Sequence, residues 1–330
     1  MSSVSCRKSS VPEVHLYTWD SYGDPEVFEE FERKTGARVV VDYFASNEEL
    51  LAKLMGGAKG YDLIVPSDYM VAIMAKQGLL AELDPAAIPN RGNLDPRLMG
   101  LYYDPGNRYS LPYLWGMTGI AYDGEAVSPA PDSWRVFWDP RFKSRNSLLN
   151  DEREVFAMAL QSLGRSANSR DPADLEAAKE RLLAQKKLVR TYVSENQKYL
   201  LISGEVLVAQ AWSGDVNQAA EEKPSLRFVM PKEGGFLWQD NLCIPAGSQN
   251  KEAALRLMDF LLEPANAARL ARKTKFGTPN RAAWKLLPDD LRSNPTIVPQ
   301  DAVFERAEWI HDIGDAGPVY DRLWTELKAG

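Results

Sequence analysis

The chain has 330 residues, with 45% apolar and 26% charged residues and a net charge of −7 from 46 acids against 39 bases. That length suits two domains with sizeable cores, and the acidic balance argues against a nucleic-acid partner, which needs basic patches. No apolar run approaches the roughly 18 residues needed to cross a bilayer. With two histidines (His15, His311) and two cysteines (Cys6, Cys243), there is no recognisable metal-ligand spacing, so neither a metal nor another cofactor is expected.

Residues 1–13 read as a polar tail outside the fold. Cys6 follows Val4 and Ser5, as a lipid-modified cysteine follows small residues in bacterial lipoproteins, although Ser3 stands where leucine is usual. It is the lipidation candidate, and with it a membrane tether. Val14–Thr18 reads as a strand, and Asp24-Pro25 starts a helix that Gly36 ends. Arg38–Phe44 reads as a strand, Glu48–Met55 as a helix, Tyr61–Pro66 as an apolar strand and Tyr69–Gln77 as a helix. Such alternation predicts βαβ units in a wound sheet, where ligands sit beyond the carboxyl ends of the strands.

Tyr109–Tyr122 is strand-like with interspersed glycines and reads as a crossover between domains, after which Ser133–Asp139 and Leu148–Asn150 begin a second lobe. Helices are expected over Val155–Leu163, opened by Asp151-Glu152-Arg153-Glu154, and over Asp171–Lys186. Val206–Trp212 and Leu226–Met230 read as strands and Trp238–Pro245 as a second crossover, with Cys243 in a buried strand. Helices at Lys251–Leu262, Asn266–Lys273 and Asp315–Leu327 complete the chain.

Sequences just after predicted strands repeatedly set an aromatic beside an acid: Trp19-Asp20-Ser21-Tyr22, Ser67-Asp68-Tyr69, Trp212-Ser213-Gly214-Asp215 and Trp238-Gln239-Asp240. Read as loops, these suit a chain of methylenes ended by ammonium groups, with carboxylates for the charges and aromatic walls for the carbons. Asp151 and Glu154, one helical turn apart, can face one way, although acids at a helix start also serve simply as caps. Each aromatic taken alone is as readily a core residue. Catalysis is not expected: the chain has no phosphate loop and no nucleophile elbow, and neither histidine has an obvious nucleophile partner.

Tyr17-Thr18-Trp19, Val65-Pro66-Ser67-Asp68-Tyr69, Asp151-Glu152-Arg153-Glu154-Val155-Phe156 and Met230-Pro231-Lys232-Glu233-Gly234-Gly235 resemble the bacterial spermidine/putrescine-binding proteins. So do Trp238-Gln239-Asp240, Thr278-Pro279-Asn280 and Glu308-Trp309, collinearly from Val14 to Gly330. The resemblance implies an α/β, two-lobed periplasmic-binding-protein fold, type II-like, with a hinge of crossing strands. It places lobe one at 14–118 plus 238–284 and lobe two at 119–237 plus 285–330, with the ligand cleft between them.

By matching positions, the resemblance puts Trp19, Tyr22, Tyr69, Trp212 and Trp238 around the methylene chain and Asp151, Glu154 and Asp240 on the ammoniums, with Ser67 lining the cleft. Asp215 matches an ammonium-binding acid of the putrescine-preferring branch. Three positions depart from the usual pattern: Ser21 replaces an acid, Phe276 a tyrosine and Ile310 a glutamine, while Asp20 and Asp68 stand ready to compensate. The implied function is an extracytoplasmic polyamine receptor, not an enzyme. It would be monomeric, in the periplasm or on the outer face of the cytoplasmic membrane, and would deliver spermidine or putrescine to the permease of an ABC transporter. The alternative is a polyamine sensor, or a receptor for another small cationic or zwitterionic amine.

Overall fold

The computed structural model describes residues 11–20 and 22–329, so the readings for Cys6 and Ser21 lie outside the described residues. Strand β1 (Glu13–Trp19) leads into α1 (Pro25–Thr35). The Asp24 side chain accepts from the Glu26 amide at the start of α1, and Gly36 ends the helix at φ 74°, a left-handed turn that favours glycine. Then come β2 (Arg38–Phe44), α2 (Asn47–Met55), β3 (Leu63–Ile64) and α3 (Asp68–Lys76). Regular strand at β3 is shorter than the apolar run, yet ladder bonds continue on both sides, Asp62 N–H to His15 O (2.9 Å) and Val65 N–H to Tyr17 O (3.1 Å).

The long strand β4 (Ser110–Asp123) carries the chain onward to β5 (Asn146–Leu148), α4 (Glu152–Ser162) and α5 (Pro172–Lys186). Next are β6 (Thr191–Tyr192), α6 (Gln197–Ile202), β7 (Val208–Trp212), α7 (Ser213–Glu222), β8 (Leu226–Val229) and β9 (Phe236–Cys243). The remainder is helical apart from one short strand: α8 (Lys251–Leu261), α9 (Pro264–Thr274), α10 (Arg281–Trp284), α11 (Asp289–Ser293), α12 (Asp301–Arg306), β10 (Glu308–Trp309) and α13 (Gly317–Ala329).

One sheet runs through the molecule in the order β2-β1-β3-β9-β4-β7-β5-β6, with β10 beside β9 and β8 beside β4. Its flanks are parallel, β1 with β2 and β3 on one side and β5 with β6 and β7 on the other. Antiparallel strands join them. The first part of β4 pairs with β9 from Ser110↔Cys243 to Thr118↔Phe236, and its second part pairs with β7 from Thr118↔Trp212 to Tyr122↔Val208. Both expected crossovers are therefore strands shared between two α/β halves, and β10, parallel to β9, is a third crossing.

Each half has its own core. Leu16, Leu63, Leu114, Leu242 and Leu257 pack in the first, and Ile120, Trp134, Phe156, Val208 and Leu323 in the second. Trp115, Met117 and Leu237 form a smaller cluster with Leu98 and Val303 where the strands cross. Beyond residue 285, Leu287, Leu291 and Ile297 pack with Ala267, Ala271 and Ala283 of α9 and α10.

Candidate functional site

A cavity of about 540 Å³ lies between the two halves. From the first half it receives Trp19 at the end of β1 with Asp20 and Tyr22 beyond it, then Ser67, Asp68 and Tyr69 around the start of α3. From β9 come Trp238 and Asp240, two residues apart and hence on one face of the strand. The second half contributes Asp151 and Glu154 at the start of α4, and Trp212 and Asp215 at the β7–α7 junction. Phe276 and Ile310 also line it. Every site residue expected from the sequence is at the cavity except Ser21, which lies outside the described residues.

The local structure around these residues differs from the expected loops in three places. Ser67-Asp68-Tyr69 is the N-cap and first turn of α3, and Trp212-Ser213-Gly214-Asp215 runs from strand directly into the first turn of α7. Trp238-Gln239-Asp240 is the interior of β9, held on both sides by β4 and by bonds such as Asn241 N–H to Pro66 O (2.9 Å). Carboxylates on regular elements are positioned more rigidly than carboxylates on loops.

Asp68, Glu154 and Asp240 are buried and take their hydrogen bonds from neutral groups, whereas Asp151 and Asp215 are half-buried. Asp240 is 3% exposed and accepts from Tyr22 Oη (2.7 Å) and Ser67 Oγ (2.6 Å); burial pushes its carboxyl up to about 6. Glu154 accepts at Oε1 from Thr118 Oγ1 (2.8 Å) and Trp212 Nε1 (3.4 Å), while its Oε2 has no partner. Burial, then the neighbouring Asp151 charge, push Glu154 up to about 8. Asp68 accepts from the Tyr69 amide at Oδ1 (2.7 Å) and has no partner at the buried Oδ2; burial raises it well above the carboxylate range. Asp215 is pushed up to about 6 by burial, opposed by the charge of Lys198. Asp151 Oδ1 accepts from the Glu154 amide (2.9 Å) as the cap of α4, and burial, backed by the charge of Glu48, raises it too.

Aromatic rings wall the space. Phe276 packs 5.4 Å from Tyr22 and 5.5 Å from Trp238, centroid to centroid. Two glycines make room for these rings: a Cβ on Gly116 would lie 2.3 Å from the Trp238 ring, and one on Gly214 would lie 2.1 Å from Phe276 Cδ1. Ile310 is 4% exposed and belongs to the second core, presenting an apolar wall.

Several residues at the cavity were not expected. Asn47 holds Ser67 through Nδ2 to Oγ (3.1 Å) and accepts the Ser67 amide (3.1 Å), and its Nδ2 also donates to Tyr69 Oη (3.1 Å). Tyr43 and Tyr199, 54% exposed each, flank the opening. Lys198 and Arg153 are its cationic lining residues, and the Arg153 guanidinium turns away to His311 O (2.9 Å) and Asn168 Oδ1 (3.3 Å). Among the described residues, no group of three or more His, Cys, Asp and Glu side chains is arranged to hold a metal ion, and no helix is long and apolar enough to cross a membrane.

Comparison with known proteins bears on this geometry. Residues 26–299 match the profile of the family described as bacterial extracellular solute-binding protein. The spermidine/putrescine-binding periplasmic protein of Salmonella typhimurium is 39% identical over 319 residues, covering 96% of this chain and 92% of the relative. The spermidine/putrescine-binding periplasmic protein 1 of Haemophilus influenzae is 41% identical over 323 residues, covering 96% and 89%. Among solved structures, a putative spermidine/putrescine ABC transporter protein from Listeria monocytogenes superposes with a TM-score of 0.91 at 35% identity, covering 96% of this chain and 98% of that one.

Proposed function

The chain belongs to the bacterial extracellular solute-binding protein family, and we propose that it captures a polyamine between its two lobes and delivers it to an ABC importer. One observation carries the ligand class. Carboxylates from both halves, the buried Asp68 and Asp240 on one side and the buried Glu154 with the half-buried Asp151 on the other, converge on an aromatic-walled cavity, and their hydrogen-bond donors are hydroxyl, indole and amide groups. Such a cluster is unfavourable when fully ionised, and a ligand bearing two or more ammoniums relieves it. The names of the relatives, spermidine/putrescine-binding proteins aligned over nearly the whole chain, support the same class.

In this reading Asp240 holds one ammonium, with Tyr22 and Ser67 fixing its carboxylate, and Glu154 with Asp151 holds another. Trp19, Tyr69, Trp212 and Trp238 cover the methylenes. Lobe one comprises 14–118 plus 238 to about 298, and lobe two comprises 119–237 plus the chain from β10 onward, a division supported by the packing of Leu287, Leu291 and Ile297. The protein acts as a monomer outside the cytoplasmic membrane, with Cys6 as the candidate tether, and turns over none of its ligand. A receptor tuned to a shorter or different amine is favoured by one feature, the apolar side chains Phe276 and Ile310 in the wall.

The test is calorimetric titration of ligand-stripped protein with putrescine, spermidine and spermine. One-to-one binding in the micromolar range or tighter is expected for at least one of them. No heat from any of the three, with the protein folded, would overturn the ligand class while leaving the family intact.

A further inference from the structure

The acids of the cleft do not all face the same electrostatic situation. Asp240 and Glu154 receive their hydrogen bonds from neutral hydroxyl and indole groups, whereas Asp215 stands one turn before the residue that accepts the ammonium of Lys198, which lines the same cavity. Lys198 lies in α6, and its Nζ donates to Gln218 Oε1 (2.7 Å). Gln218 stands one turn beyond Asp215 on α7, so the lysine charge is anchored over the helix face that carries Asp215. With its oxygen engaged by Lys198, the Gln218 amide presents Nε2 to the other half, where it donates to Thr274 O (2.6 Å). The lysine is thus held on α7 by a residue that itself bridges to the other half.

We infer that Lys198 sets ligand length: it is a resident ammonium serving Asp215, holding the position that a further amine of a longer polyamine would need. The inference rests on the polyamine reading. A diamine spanning Asp240 and Glu154 leaves Lys198 undisturbed, whereas a third ammonium directed at Asp215 meets a like charge in a partly desolvated place.

Titrating putrescine and spermidine into wild type and into Lys198→Met, Lys198→Arg, Asp215→Asn and the Lys198→Met/Asp215→Asn double variant tests this. Wild type is expected to favour putrescine. Lys198→Met should shift the putrescine-to-spermidine affinity ratio roughly tenfold toward spermidine. Lys198→Arg should leave the ratio in place, and the shift should disappear in the double variant, where no carboxylate remains to receive the third amine. A ratio unmoved by Lys198→Met, or moved equally without Asp215, would overturn the role of Lys198. An equal loss of affinity for both amines, reporting only a loosened Gln218–Thr274 bridge, would overturn it as well. Binding of neither amine by wild type would instead sink the polyamine reading itself.

Discussion

Asp240→Asn separates a binding role from a structural one, because the two roles move different observables in opposite directions. In the empty cleft, burial raises the Asp240 carboxyl from 3.8 to about 6, so carrying it ionised at pH 7 costs the fold about 3 kcal/mol. The folded state binds this proton more tightly than the unfolded state. The empty protein therefore gains stability from this group as pH falls from about 6 toward 3.8, and above about 6 the cost is constant. Asparagine removes the charge and most of that cost. It keeps one acceptor oxygen, so either the Tyr22 or the Ser67 hydroxyl must turn and accept from the new amide, which returns part of the gain. The ligand-free variant should accordingly melt no lower than wild type. Binding should suffer, since truncating one member of a buried, hydrogen-bonded charge pair costs about 2–5 kcal/mol, or roughly 30- to 5,000-fold in Kd. Calorimetric titration and thermal melting of stripped protein read both quantities. An affinity within about threefold of wild type, or a loss of affinity accompanied by a clearly lower melting temperature, would refute the assignment of Asp240 to an ammonium.

The raised carboxyls make binding pH-dependent. Glu154, up to about 8, and Asp240, up to about 6, take up protons in the empty cleft as pH falls, and an incoming ammonium expels them, while alkylamines stay charged throughout. Affinity should fall as pH drops from 8 to 5, with proton release visible as a buffer-dependent binding heat, and a Kd flat across that range would refute it. Trp238→Ala removes a wall that packs on Phe276, and should weaken binding about 10- to 100-fold with a modest loss of stability; a wild-type titration curve would remove Trp238 from the site. Gly214→Ala should hold the lobes apart, since the added methyl meets the Phe276 ring across the cleft while alanine suits α7 itself. Binding at least about tenfold weaker and a larger radius of gyration with ligand present are expected, and wild-type compaction in small-angle scattering would refute it.

Elements with their own local signals were legible in the sequence. Asp24-Pro25 and Gly36 bracket α1, Asp171-Pro172 opens α5, and the β-branched run at Arg38–Phe44 is β2. Helix α7 was not, because its start carries Gly214 and no side-chain cap, and it is held instead by packing against β7 and β8 and by bonds from Asn217 and Gln218 to the other half. The two-residue strands β6 and β10 exist only through partners 44 and 72 positions away, Thr191 to Ser147 and Glu308 to Phe236. The acids and aromatics of the site were visible as recurring pairs. Asn47 and Lys198 were not, since each acts on a residue 20 positions distant through a contact that only the fold creates.

The distribution of the acids over both halves explains how a ligand can close the cleft. Bringing the halves together sets Glu154 against Asp68, and Asp151 against Glu48, like charges from opposite lobes that raise the affinity of Glu154 and Asp151 for protons. Closure without a cation therefore works against this repulsion. Two ion pairs that bridge the lobes, Lys76 to Asp312 (2.7 Å) and Lys275 to Glu221 (2.7 Å), each have one exposed partner and are of the kind that contribute about 0–1 kcal/mol each. Two ammoniums placed among the acids turn that repulsion into attraction, because the same carboxylates that repel one another are then drawn to the charge between them. The ligand favours the closed state by this differential contact, and a neutral molecule of the same length, however well it stacked on the tryptophans, would leave the repulsion in place and the lobes apart.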